Sequence, residues 1–199
     1  MNTMRYSLAL LIVVGVPLML LFWFIVHPFI HSWRRLGPRR SYTIILSALT
    51  LCALLLLLLR GPLLAIDFGT SYTLVVAGVS CVIGATILRR KLHLHATNKL
   101  FAGLPELDPA QHPTPLITEG LFAHVRHPRY LQVLLAVFGE ALIANHLTPY
   151  LFVALSIPAI VAIAHLEERE LHARFGAEYE AYCRRVPAFL PHLRRSPVA

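Results

Sequence analysis

Residues 6–26 read YSLALLIVVGVPLMLLFWFIV, twenty-one positions without a charged side chain. A helix needs about 20 apolar residues to cross the hydrocarbon core of a bilayer. The run is longer than the apolar core of a secretory signal, and no small-residue cleavage pattern follows it. It therefore reads as a retained membrane span. Outward from it, Tyr42–Leu59 and Ser71–Leu88 are also uncharged, Tyr130–Asn145 carries the single acid Glu140, and Leu147–Leu166 is a fifth run. The turn signal Asn145-His146-Leu147-Thr148-Pro149 joins the last two as an antiparallel hairpin. The composition agrees: 57% of the 199 residues are hydrophobic and 14% are charged, where a soluble domain has about a quarter charged. The expected fold is an all-α integral membrane protein with about five transmembrane helices, a C-terminal helical hairpin and a cytoplasmic amphipathic helix. The length suits one membrane domain over residues 1–199. Residues 1–91 hold three N-terminal spans, and residues 92–199 hold a loop, the hairpin and the C-terminal helix.

The net charge of +8 would suggest nucleic acid in a soluble chain. Here the basic residues stand at the ends of apolar runs, so topology explains them and no nucleic-acid partner is expected. In the five-helix arrangement sixteen of the eighteen Lys and Arg fall on one side, leaving Arg5 and Arg60 on the other. Basic loops mark the cytoplasmic side. The N-terminus is thus expected outside and the C-terminus in the cytoplasm, in a bacterial inner membrane. Cys52, Cys81 and Cys183 are too few and too scattered for a disulfide framework or a zinc site.

Polar chemistry collects in two places. Residues 92–129 form a long connection with Pro105, Pro109, Pro113 and Pro115, and a loop of that length is uncommon unless it has a function. From Glu167 to Val186 the apolar residues Leu171, Phe175, Tyr179, Tyr182 and Val186 recur at helical spacing. That helix either lies on the membrane surface or closes a site. The hairpin brings Arg126-His127-Pro128-Arg129-Tyr130 and Glu167-Glu168 to the same boundary. Carboxylates for an ammonium and a cation for a carboxylate would suit a zwitterion. An interfacial ion-pair network that anchors lipid headgroups is the competing reading. Glu140 lies about 20 Å along the helix from His127 and belongs near the opposite face. Neither His93 with His95 nor His124 with His127 has the further ligands a metal needs, so no metal is expected. No dinucleotide or phosphate-loop motif occurs.

The stretch Gly120-Leu121-Phe122-Ala123-His124-Val125-Arg126-His127-Pro128-Arg129-Tyr130 resembles the G-x-Y-x-x-x-R-H-P-x-Y signature of the isoprenylcysteine carboxyl methyltransferase and phospholipid methyltransferase group. Glu167-Glu168-Arg169-Glu170-Leu171, then Phe175-Gly176-Ala177-Glu178-Tyr179-Glu180-Ala181-Tyr182 and Val186-Pro187, resembles its second block. The resemblance covers about residues 114–191. It implies S-adenosylmethionine bound beneath the hairpin. Its contacts would fall on Leu116, Ile117, Phe122, His127, Pro128, Arg129, Tyr130 and Glu168. Two positions depart from the pattern: Phe122 stands where the group has Tyr, and Ala164 where the prenylcysteine enzymes have a substrate-contacting Arg.

The expected activity is S-adenosylmethionine-dependent methyl transfer to a lipophilic or small membrane-partitioned acceptor, with the bilayer as the other partner. Glu168 would meet the cofactor's ammonium, Tyr130 and Phe122 would pack its adenine or sulfonium region, and Arg126 would orient an anionic acceptor as the catalytic residue. The alternatives are an NADPH-dependent membrane reductase of similar architecture and a non-catalytic membrane protein that keeps the fold.

Overall fold

The computed structural model describes residues 2–94, 107, 111 and 115–190. The described elements are helices: α1 (Asn2–Val26), α2 (Ile30–Leu36), α3 (Pro38–Leu58), α4 (Arg60–Leu63), α5 (Tyr72–His93), a 3-10 turn (Gly120–Ala123), α6 (Pro128–Ala144), α7 (Leu147–Phe175) and α8 (Ala177–Arg185). Four of them, α1, α3, α5 and α7, are long and apolar enough to cross a membrane. The fifth expected span is α6. Its 17 residues reach about 25 Å at 1.5 Å per residue, and it packs between α1, α5 and α7. Much of the long connection at 92–129, including Pro105, Pro109 and Pro113, lies outside the described residues; Leu107 is buried in the cluster around Trp23.

The outward faces of α3 and α5 are apolar, as Leu51, Leu54, Leu58, Val76 and Ile83 show by their exposure. Lipid must cover such a surface. Hydroxyls along the spans are satisfied within their own helix: Thr43, Thr50, Ser80, Thr86 and Ser156 each donate to the carbonyl four residues earlier. A bilayer offers no water for the purpose. The tightest crossing joins α5 to α6. A Cβ on Gly78 would lie 2.5 Å from the Gly139 carbonyl oxygen, and one on Gly139 would lie 2.7 Å from that of Gly78. Two glycines face to face let the backbones touch, which is how helices associate where hydrophobic burial gives no advantage over lipid.

The bundle has two unlike ends. At one, Asn145 adopts the left-handed conformation (φ 51°) that closes the α6–α7 turn. Its side chain donates to Gly69 O (2.9 Å) and accepts from Tyr150 (2.9 Å). Residues 66–68 pair with 145–147 through Phe68 N to Asn145 O and Leu147 N to Ile66 O, both 3.1 Å. Arg5, 2% exposed, plugs this end. It pairs with Asp67 and donates to Ala144 O (3.2 Å), Asn145 O (3.5 Å) and the Thr70 hydroxyl (3.4 Å). A loop acid, a hydroxyl and two carbonyls give it enough partners to be buried. The opposite end gathers the ends of α1, α5 and α7, the start of α6 and all of α2 and α8.

Candidate active site

Proline fixes where α6 begins. Pro128 occupies the first helical position, where its missing N–H costs nothing. His127 is the residue before it, so its side chain leaves the helix start at the bundle end. On the other arm of the hairpin, α7 continues past the apolar run by two and a half turns and carries Glu167, Glu168 and Glu170 beyond Leu166. The amphipathic helix expected over 167–186 is broken at Gly176, with φ +53° and ψ −124°. Glycine adopts that geometry without steric cost. The break folds α8 back so that Tyr179, Tyr182 and Val186 are buried against Leu116, Leu171, Phe175 and Cys183. Of the two expected roles for this segment, the structure shows packing against the loop at 116.

The arms are sewn together at Arg126 and His127. The Arg126 guanidinium donates to Glu168 Oε1 at 2.7 Å and 3.0 Å, and to the carbonyl of Val186 at 2.6 Å. His127 Nε2 lies 3.0 Å from the same Glu168 oxygen. The backbone N–H groups of 126 and 127 donate to the carbonyls of Pro187 (2.8 Å) and Ala188 (2.9 Å). Tyr182 donates to Phe122 O at 2.6 Å, tying α8 to the 3-10 turn. Burial raises the Glu168 pKa, but hydrogen bonds from His127 and Arg126 outweigh it and hold this carboxylate, two residues past the apolar run, below its usual range. Burial alone would lower the Arg126 pKa, yet Glu168 leaves it raised. The pair is therefore an ion pair at any physiological pH. Burial pushes the Tyr182 hydroxyl up to about 12 and Tyr179 higher still.

A cleft opens beside this knot. Its wall holds Arg126, His127, Glu167, Glu170 and Arg174 as polar groups, Phe122, Phe175, Tyr179 and Tyr182 as aromatic ones, and Pro115, Leu116, Ile117 and Leu171. Two guanidiniums balance two carboxylates. Glu167 accepts from Tyr130 at 2.8 Å through Oε2. Its other oxygen has no hydrogen-bond partner among the described residues. Tyr179 is 1% exposed and its hydroxyl is likewise unpartnered.

Of the residues expected from sequence, Leu116, Ile117, Phe122, Arg126 and His127 line the cleft. Pro128, Arg129, Tyr130 and Glu168 stand behind it: Tyr130 supports Glu167, and Arg129 lies over the Trp23 ring at 5.2 Å. Glu168 needs a partner, as any half-buried carboxylate does, and finds it inside the protein in Arg126 and His127. Ala164, 2% exposed, belongs to the cluster around Trp23 rather than to the cleft. Glu170, which the sequence reading did not single out, is held by Arg34 (2.6 Å) and His27 (3.3 Å). Those partners lie about 140 positions away, so no local pattern announces them. The aromatic wall was legible as the apolar stripe of the C-terminal segment. Among the described residues no three His, Cys, Asp or Glu side chains are grouped to hold a metal.

The geometry can be set beside known proteins. Over 81 residues, 40% of the chain, it is 43% identical to methanethiol S-methyltransferase 2 of Bradyrhizobium diazoefficiens, covering 29% of that protein. It is 32% identical over 77 residues, 38% of the chain, to the protein-S-isoprenylcysteine O-methyltransferase of Schizosaccharomyces pombe, covering 33% of it. Over 77 residues, 36% of the chain, it is 35% identical to the Δ14-sterol reductase LBR of Gallus gallus, covering 12% of that protein. The chain thus spans at most a third of the length of these relatives. No solved structure is significantly similar to it. The family description for phospholipid methyltransferases matches residues 72–178, from the start of α5 into α8. A match over more than half the chain, containing both arms of the cleft, shows that the protein belongs to the phospholipid methyltransferase family.

Proposed function

We propose that the chain is an S-adenosylmethionine-dependent methyltransferase acting on a lipophilic or small membrane-partitioned acceptor, with the cleft on the cytoplasmic side. The observation that carries this is the cleft's composition: a charge-balanced set of two arginines and two carboxylates beside four aromatic rings. S-adenosylmethionine has the matching parts, an amino-acid zwitterion and an adenine, and when bound supplies an electrophilic methyl on sulfur. The residues fit it. Glu167 has an unpartnered oxygen for an ammonium, Arg174 suits a carboxylate, and Phe122 and Phe175 offer faces for a purine. Tyr179 also brings a buried hydroxyl in want of a partner.

The chain's own part in the reaction is positioning. Arg126 and His127, locked by Glu168 and by the 187–188 carbonyls, fix the floor of the cleft. A floor so held keeps a nucleophile and a methyl group in line, and alignment of that kind supplies most of the rate in a displacement without proton chemistry. The apolar wall excludes water that would compete as an acceptor. Arg126 sits on the wall as well as on Glu168, so an anionic acceptor would meet a cation already in place. The basic ends of the helices support a cytoplasmic position for this side, with the N-terminus opposite.

The likeness to a sterol reductase motivates the rival reading, an NADPH-dependent reductase. Calorimetric titration of the detergent-purified chain with S-adenosylhomocysteine and with NADPH separates them. Binding of S-adenosylhomocysteine with no heat from NADPH is the expected result, and NADPH binding alone would overturn the proposal.

A further inference from the structure

On the far side of Glu170 lies a second cleft, between α7 and the corner where α1 turns into α2. Among the described residues its polar wall is formed by Arg34, Arg169, Arg174, His27, His31 and one acid, Glu170. The first cleft is balanced in charge, whereas this one carries three guanidiniums against one carboxylate. That carboxylate is itself occupied, by Arg34 at 2.6 Å and by His27 Nδ1 at 3.3 Å. Pro28, Ile30 and Leu166 complete the wall, and Leu166 closes the apolar run of α7. The cleft is therefore basic on its aqueous side and apolar on its membrane side.

One buried atom in it lacks a partner. The His27 side chain is 1% exposed and stacks on Trp23 at 5.0 Å, yet its Nε2 makes no hydrogen bond. A buried polar atom left unpaired is unfavourable. Nδ1 is the ring nitrogen that faces the Glu170 carboxylate.

We propose that this cleft binds a phosphate-type anion, presented as the headgroup of an anionic phospholipid at the membrane–water boundary. Arginine is suited to phosphate because its planar donors engage two oxygens together. Pro28 and Leu166 give the acyl part of the ligand an apolar wall. The site adjoins the methyl-transfer cleft and shares Glu170 and Arg174 with it, while Arg34, Arg169 and His31 belong to it alone, and its ligand does not need to be methylated.

The test is thermal unfolding of the full chain in neutral detergent with three probes: dioctanoyl-phosphatidylglycerol, dioctanoyl-phosphatidylcholine and inorganic phosphate. Phosphatidylglycerol should raise Tm by several degrees more than phosphatidylcholine, with half-saturation shifted at least fivefold to higher concentration in Arg169→Ala. Arg169 is exposed on α7, so its removal leaves the core intact, and His31→Ala serves as a second such variant. Arg39→Ala, at the same end but outside the cleft, should retain the wild-type response. A shift from inorganic phosphate as well would assign recognition to the anion alone, and its absence beside a phosphatidylglycerol shift would assign it to the amphiphile; either supports the site. Equal shifts from the two lipids would overturn it. So would an unchanged response in both Arg169→Ala and His31→Ala, or a response lost equally in Arg39→Ala, which would make the effect general surface charge.

Discussion

The two ends of this bundle are built from the same kinds of residue and do opposite things. At the Asn145 end one arginine, one aspartate, an asparagine and a histidine are consumed by one another and by backbone carbonyls. None of these four residues lines either of the clefts at the opposite end. At the Glu168 end the ions are also paired, but the pairs are arranged as walls. Glu168 takes its donors from Arg126 and His127, while Glu167, one residue earlier, lines the cleft with one oxygen held by Tyr130. Charged residues beside a membrane are therefore not by themselves evidence of a site. What distinguishes the Glu168 end is polar capacity that remains after internal pairing.

That division can be attacked from either side. Arg5→Ala should have the largest effect, a loss of about 3 kcal/mol in stability, because it strips an acid and two carbonyls of a buried donor. Affinity for S-adenosylhomocysteine in the folded fraction should stay within about twofold of wild type. If unfolding and titration report parallel losses, the two ends are not independent. Glu167→Gln should do the reverse. Losing a charge-assisted hydrogen bond is worth about 1.5–3 kcal/mol, so affinity should fall roughly 10- to 150-fold with Tm almost unmoved. Unaltered affinity would mean that the free oxygen of Glu167 has been misread.

Glu168→Gln sharpens the contrast because this residue belongs to both categories. It removes the anion that Arg126 and His127 share, so stability should fall by about 1–2 kcal/mol. Affinity should fall less than in Glu167→Gln, since Glu168 acts through its neighbours. A larger affinity loss than in Glu167→Gln would exchange the two roles. The smallest effect concerns acid. The hydrogen bond from Arg5 holds the Asp67 carboxyl below its ordinary value. A depressed carboxyl contributes stability above its unfolded pKa of about 3.9, and the contribution fades as pH drops through the folded value. Asp67 is 44% exposed, so solvent screening keeps the contribution small. Melting followed from pH 6 to 3 should show Asp67→Asn losing part of the wild-type slope. Identical slopes would show that the pair contributes nothing to folding.

The spans were legible in the sequence because lipid imposes a length and forbids charge, and both are local properties. The convergence of Arg126-His127 with the glutamates was legible for a related reason: a tight turn at Asn145 leaves a hairpin no other geometry. Which glutamate faces which way was not. Glu167, Glu168 and Glu170 lie within one helical turn, and their division among Tyr130, Arg126 and Arg34 depends on where three other elements arrive. The share of α1 and α2 in the site was equally hidden, since His27 and Arg34 reach Glu170 across most of the chain. Gly176 stood in the motif, but the periodicity of Leu171, Phe175, Tyr179 and Tyr182 runs straight through it. Periodicity detects a shared apolar face and is blind to a fold-back that keeps that face intact.

The backbone bonds from residues 126 and 127 to the carbonyls of 187 and 188 also set an order of biosynthesis. Domains form as their parts emerge from the ribosome, and both hairpin arms emerge before residues 187 and 188 do. A nascent chain can thus be fully inserted, with every span in the bilayer, while Arg126 still lacks its carbonyl partners and the cleft has no floor. The spans and the cleft thus depend on different segments, and a chain that stopped short of residue 187 would be a membrane protein without a complete pocket.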